Sequence, residues 1–263
     1  MTGFMTAKTI PRLFVATPLS ADRTLALDHG QAHYLGTVLR RKPGQTVLVF
    51  NGADGEYLCR IDAIDRKKAE LCCLQQTKPQ ADKPPLWLLF APVKRARIDF
   101  IAEKATELGV GRLTPVVTEL TQVSRVNMER LTANATEAAE QTGRTTIPEI
   151  DDATTLARIL DAWPQNLPLI FCDEMLAGDK QGAMLERIGE AGLASHQGRI
   201  AILTGPEGGF SDTERARLAL LPEALPVSLG PNILRADTAM LAALSIWQAH
   251  ADAQQILQRT QPS

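Results

Sequence analysis

The chain has 263 residues, 44% of them apolar and 22% charged, with a formal net charge of −2. That length suits one large domain or two modest ones with a sizeable buried core. No apolar run approaches membrane-spanning length, Met1 to Phe14 lacks the apolar centre of a signal peptide, and Cys59, Cys72, Cys73 and Cys172 have no CxxC spacing, so a soluble cytoplasmic protein with buried free thiols is expected.

Residues 10–80 read mostly as β-structure. Leu13-Phe-Val-Ala16 and Thr46-Val-Leu-Val-Phe50 have strand length, Asn51-Gly-Ala-Asp-Gly55 has hairpin-turn composition, and Glu56 to Ile61 returns from it. Glu70-Leu-Cys-Cys-Leu74 suits a further strand. His33 to Arg40 reads as a short helix, followed by Arg40-Arg41-Lys42 and a Pro43-Gly44 turn. His29 and His33 have i, i+4 spacing, which suits a surface or domain-packing role better than a metal site. A small barrel of this kind is a common nucleic-acid module. Residues 1–85 carry twelve Lys and Arg against eight Asp and Glu, whereas the remainder is net −6. That asymmetry permits an anionic partner for the N-terminal part.

Thr77 to Pro85 is polar and proline-rich, and it marks a boundary between a first domain, 1–80, and a second, 86–263. From Leu86 onward strands alternate with helices, the pattern of an α/β fold with a mainly parallel sheet. The expected strands are Leu86–Phe90, Leu113–Val117, Leu167–Cys172 and Ile200–Leu203. The first helix puts Ile98, Ile101, Ala102, Ala105 and Leu108 on one face and stops at Gly109; a longer one runs from Asn127 to Thr142 and stops at Gly143. Ala183–Ala191 is a further helix, and the last, from about Asp237 to Gln255, is apolar nearly all round between Ala239 and Ala249. Such a helix belongs to the core or to a subunit interface.

Two loops stand out as candidate ligand sites. Leu203-Thr204-Gly205-Pro206-Glu207-Gly208-Gly209-Phe210 follows a buried strand and precedes Ser211-Asp-Thr-Glu214, a capping box that opens a helix. Leu229-Gly230-Pro-Asn-Ile233-Leu234-Arg235-Ala-Asp237-Thr-Ala239 repeats the layout of apolar run, Gly-Pro and helix. Loops at the carboxyl ends of parallel strands are where open α/β sheets bind ligands. The phosphate-loop and dinucleotide fingerprints are absent, as are metal-ligand spacing and a nucleophile elbow. Lys94-Arg95-Ala-Arg97 opens a helix with cations, which oppose the helix dipole unless an anion binds there. Arg40, Arg41 and Lys42 could extend an RNA-facing surface, as could Arg125, Arg130 and Arg144.

The two loops together resemble the knotted SPOUT methyltransferases, specifically the 16S ribosomal RNA uracil-N3 methyltransferases. The resemblance extends along the chain through His33-Tyr34, Val38-Leu-Arg40 and Pro43-Gly44, through Lys104-Ala-Thr-Glu-Leu-Gly-Val110, and through Glu137-Ala-Ala-Glu-Gln141. Two positions depart from the family pattern: Ala236-Asp237 where many members have Thr-Glu, and Glu119-Leu120-Thr121 where many have Glu-Arg-Ser. The resemblance implies a PUA-like β-barrel followed by a trefoil-knot α/β domain, and a homodimer with its active site at the subunit interface. It implies S-adenosylmethionine held by backbone around Leu203 to Gly209, Leu229, Gly230, Ile233, Leu234 and Ala239. The substrate would be 16S rRNA or the small ribosomal subunit, gripped by the barrel with Lys94, Arg95 and Arg97. Arg235 is expected to stabilise charge on the uracil oxygens, and Glu207 or Asp237 to accept the N3 proton. The alternative for Arg235 is an ion pair with Glu207 or Asp237 that only holds the loop. Two other readings of the chain are a SPOUT enzyme acting on another rRNA or tRNA nucleotide, and a catalytically silent RNA-binding or ribosome-assembly factor.

Overall fold

A computed structural model describes residues 10–93, 95–123, 125–179, 182–193 and 199–260; of Arg95, Ala96 and residues 254–260 it describes the backbone alone. Lys94 and His196 lie outside the described residues. The chain forms two compact units, Met1–Asp82 with Ala139–Ile147, and Lys83–Ala138 with Pro148–Ser263.

The first unit is a five-stranded sheet built from β1 (Arg12–Phe14), β2 (Thr24–Leu27), β3 (Thr46–Phe50), β4 (Glu56–Ile64) and β5 (Ala69–Lys78), in the order β1-β3-β4-β5-β2. β1 pairs parallel to β3 and the remaining pairs are antiparallel. Alternation places Leu25, Leu27, Val47, Val49, Cys59, Ile61, Leu71 and Cys73 in one core. β2 escaped the sequence reading because Thr24-Leu-Ala-Leu27 is only four residues long and offers only two inward residues. Between β2 and β3 lie α1 (His29–His33) and one turn of π-helix, Tyr34–Val38, where the sequence suggested a single short helix. Within this unit Arg12 lies over the Phe50 ring, pairs with the buried Glu56 and donates to the carbonyls of Ala139 and Arg144. The four cysteines are free; Cys59 and Cys73 face each other across β4 and β5 with sulfurs 3.4 Å apart, and burial pushes both thiols up.

The second unit contains β6 (Leu86–Phe90), α2 (Arg95–Glu107), β7 (Arg112–Val117), most of α3 (Met128–Thr142), β8 (Glu149–Ile150), β9 (Thr154–Thr155), α4 (Leu156–Asp161), β10 (Leu169–Cys172), α5 (Met184–Glu190), β11 (Ile200–Thr204), α6 (Asp212–Ala219), β12 (Ala224–Val227) and α7 (Ala236–Thr260). Its parallel sheet has the order β12-β10-β11-β6-β7-β8, with β9 paired to β7. The period-two rule divides each central strand between two cores. Leu86, Leu88, Phe90, Ile170, Ile200 and Ile202 pack with residues of α2, α5 and α7, whereas Leu89, Leu169, Phe171, Ala201 and Leu203 pack with residues of α4 and α6. Continuous apolar runs in the sequence are therefore strands covered on both faces. Gly109 and Gly143, each with positive φ, stop α2 and α3. The connection after β10 encloses the exit of β12: Gly178 N–H donates to Gly230 O, Ser228 N–H to Gly182 O, and Met184 N–H to Ser228 O.

Candidate active site

The register aligns Cys172 of β10 with Thr204 of β11 and with Val227 of β12, so three parallel strands end side by side. Their exits surround an open cleft. Its walls come from Cys172, Asp173, Glu174 and Ala177 after β10, Gly205 and Pro206 after β11, and Val227, Leu229, Gly230, Asn232, Ile233, Leu234, Ala236 and Ala239 around the exit of β12. Of the residues proposed for cofactor contact, the structure brings Gly205, Pro206, Leu229, Gly230, Ile233, Leu234 and Ala239 to this cleft. Leu203 and Thr204 are buried beneath it within β11, and Glu207, Gly208 and Gly209 continue round the loop beyond its walls.

Sequence reasoning missed the β10 exit. Asp173 and Glu174 are the charged residues of the cleft wall, and both pair with Arg215 of α6. Arg215 Nε reaches both Asp173 oxygens at 3.2 Å, and the same guanidinium donates to Phe210 O at the end of the glycine loop. Gly209 makes this clamp possible. Its φ is +70°, and an added Cβ would overlap Glu174 Oε1, so the carboxylate occupies the space a side chain would need. The available signal was positional: Asp173-Glu174 follows an apolar strand just as the two recognised loops do. Cys172 is inert by contrast, because burial pushes its thiol up to about 12.

The same end of the loop is held by Glu214. Its carboxylate completes the α6 capping box, accepting from Ser211 N, and also accepts from Glu119 N after β7. Glu207 and Asp237, the two proposed proton acceptors, come from the glycine loop and the first turn of α7 and meet the same cation. Arg97 of α2 donates to Glu207 Oε1 at 2.7 Å, and its Nε lies 3.8 Å from Asp237 Oδ2. Arg97, read from sequence as a phosphate contact, thus has its guanidinium on two carboxylates. Arg235 is exposed between the cleft residues Leu234 and Ala236, and its side chain makes no ion pair among the described residues. The loop-holding pair considered for Arg235 is supplied by Arg97.

The other basic candidates disperse. Arg95 opens α2 with its side chain outside the described set, and Arg40, Arg41 and Lys42 follow the π-turn of the first unit. Arg130 is held by both oxygens of Asp99 at 2.7 and 2.6 Å. Arg144 is half-buried, and burial pushes its guanidinium down to about 10. Among the described residues no group of three or more His, Cys, Asp or Glu could hold a metal ion, and no helix is long and apolar enough to cross a membrane.

Comparison with known proteins adds a family to this geometry. Residues 81–248 match the RNA methyltransferase domain model, and residues 27–71 match the RNA methyltransferase PUA domain model. Ribosomal RNA small subunit methyltransferase E of Rickettsia conorii is 36% identical, over 89% of this chain and 93% of that protein. Its namesake in Synechocystis sp. is 34% identical, over 89% and 76%. A methyltransferase of Legionella pneumophila in complex with bound SAM superimposes with a TM-score of 0.78 and 27% identity, covering 91% of this chain and 97% of that one. A ribosomal RNA small subunit methyltransferase E from Neisseria gonorrhoeae bound to S-adenosyl methionine gives the same TM-score with 26% identity and the same coverage.

Proposed function

The chain belongs to the ribosomal RNA small subunit methyltransferase E family, and on that premise we propose that it transfers a methyl group from S-adenosylmethionine to N3 of a uridine in 16S ribosomal RNA. The observation that carries this reading is the cleft at the ends of β10, β11 and β12, assembled from the two loops on which the family resemblance rests. Backbone at Gly205 and Gly230 is open to a ligand, and the carboxylates of Asp173 and Glu174 suit a ligand bearing hydroxyls and positive charge. These residues fit the cofactor.

When bound, S-adenosylmethionine supplies an electrophilic methyl group on its sulfonium. Uracil N3 is protonated at neutral pH, so its proton leaves before or during attack. Arg235, exposed beside the cleft and unpaired by Glu207 or Asp237, is assigned to the negative charge that develops on the uracil oxygens. Glu207 and Asp237 are the candidate acceptors of the N3 proton, and Arg97 is the residue that positions both. The uridine must leave its stack to reach such a cleft.

The finer partners belong to the same proposal. The substrate is 16S rRNA or the small subunit, in the cytoplasm, with Arg40, Arg41 and Lys42 among the phosphate contacts. The enzyme acts as a homodimer through the outer face of α7, which has no Asp, Glu, Lys or Arg between Asp237 and Asp252. Nucleotide-resolution mapping of 16S rRNA from a strain lacking the gene tests the reading: one N3-methyluridine should vanish and return with the wild-type gene but not with Arg235→Ala. Loss of a ribose methyl, or of a mark in another RNA, would replace this substrate with a different one.

A further inference from the structure

The segment between β2 and β3 carries features that the methyl-transfer site does not use. Asp28 and Gln31 form a capping box that starts α1, and Ala32 and Leu35 anchor it, both fully buried. The chain then widens into a π-turn, in which Leu39 N–H donates to Tyr34 O at 2.9 Å. Gly36 allows the close seating of this turn, since a Cβ there would meet the Ile64 side chain at 3.3 Å. Arg40 closes it with φ +53°, a left-handed conformation that non-glycine residues seldom adopt, and Arg41 N–H donates to Leu35 O. Two uncommon backbone features in one short stretch are of the kind that functional sites retain.

The side chains that this backbone turns outward are unusual for solvent. The imidazoles of His29 and His33 are exposed and nearly parallel, with 8° between planes and 6.5 Å between centroids. Neither has a hydrogen-bond partner among the described residues. Tyr34 beside them is 42% exposed and Val38 58% exposed, and the exposed cations Arg40 and Lys42 follow directly. Exposed, nearly parallel rings beside cations match the way proteins hold unpaired nucleotides, with bases on π-faces and phosphates on basic side chains. The centroid spacing is also close to two base-stacking steps of about 3.4 Å each.

We propose that His29, His33 and Tyr34 form a stacking platform for an unpaired RNA base, with Arg40 and Lys42 on the adjoining phosphates. The inference rests on the RNA-methyltransferase reading and adds to it a site within the segment matched by the PUA model. It assigns the first unit recognition of single-stranded nucleotides by shape and stacking, separate from the cleft.

The test uses the full chain and a short single-stranded RNA containing 2-aminopurine, whose fluorescence falls when the base stacks. Wild type should bind and quench. His29→Ala with His33→Ala should abolish the quench and weaken binding by about five- to a hundred-fold, the span of base–aromatic stacking, while calorimetric affinity for S-adenosylmethionine stays the same. The double replacement His29→Phe with His33→Phe should restore the quench, and His29→Lys with His33→Lys should not. Rescue by lysine instead of phenylalanine would overturn the platform in favour of simple charge attraction. An unchanged quench in the alanine pair, or wild-type binding without any quench, would overturn it while leaving the methyltransferase reading intact. Absence of any RNA binding by wild type would overturn the platform as well, whereas the methyltransferase reading, whose substrate is 16S rRNA or the small subunit, stands or falls on the mapping of 16S rRNA.

Discussion

Arg97 joins the glycine loop to the first turn of α7, 30 positions apart in sequence, by touching one carboxylate from each. Its side chain is 27% exposed and that of Glu207 is 44% exposed, so the pairing contributes at most about 1 kcal/mol to stability. Its consequence is orientation: with Arg97 in place, Glu207 and Asp237 are both turned toward α2. Arg97→Ala is therefore expected to lower kcat by about ten- to a hundred-fold, within the range general-base placement spans, with little change in S-adenosylmethionine affinity. A phosphate-contact role predicts the other pattern, a raised KM for RNA whose dependence on salt is shallower than the wild type's, with an unchanged kcat. Steady-state methylation at two salt concentrations separates them, and a pure KM effect would remove Arg97 from the site. Arg235→Ala should be more severe, about a hundred- to a thousand-fold in kcat, as for loss of a single oxyanion donor.

At the scale of elements, the Gly209–Glu174–Arg215 clamp joins the glycine loop to the β10 exit. Gly209→Ala places a Cβ in the carboxylate's position and in a left-handed backbone, at a backbone cost of about 1–2 kcal/mol. The melting temperature should fall by roughly 2–8 °C, and calorimetry should show cofactor affinity reduced at least about ten-fold because Glu174 leaves the cleft wall. A lower melting temperature with unchanged affinity would mean that Glu174 has no part in cofactor binding. The same clamp shows what a linear reading can reach. β6, β10 and β11 announce themselves because strands covered on both faces are apolar at nearly every position. The glycine loop announces itself because close backbone approach requires glycine. Asp173, Glu174 and Arg215 carry no such local mark. Their meaning depends on β10 lying between β11 and β12, a neighbour relation created by folding. Lys94 to Arg97 shows the converse: a cationic helix start was visible, but the anions that meet Arg97 sit in the glycine loop and the first turn of α7, more than 100 residues downstream. β8, β9 and the six-residue α4 were too short for periodicity to register.

For the whole molecule, α7 raises the question of what covers its second face. Its inward stripe, Ala236, Met240, Ala243, Leu244, Trp247 and His250, is buried. The opposite stripe contains Thr238, Leu241, Ala242, Ser245 and Ala249, small or apolar and partly to fully open to solvent. Small side chains let helix axes approach closely, and an uncharged strip on an amphipathic enzyme surface is the composition of an interface centre. In a two-fold pair this stripe meets its own copy, so a charge introduced on it faces a like charge or lies close to one. Sedimentation equilibrium of the wild type is accordingly expected to read twice the chain mass. Ala242→Glu combined with Ala249→Glu should yield single chains that keep their fold by circular dichroism. If the partner subunit completes the site, methylation by those single chains should fall far more than their melting temperature does. A wild type that sediments as one chain at micromolar concentration while methylating normally would show that α7 serves the core alone, and that the cleft of a single subunit holds all the chemistry.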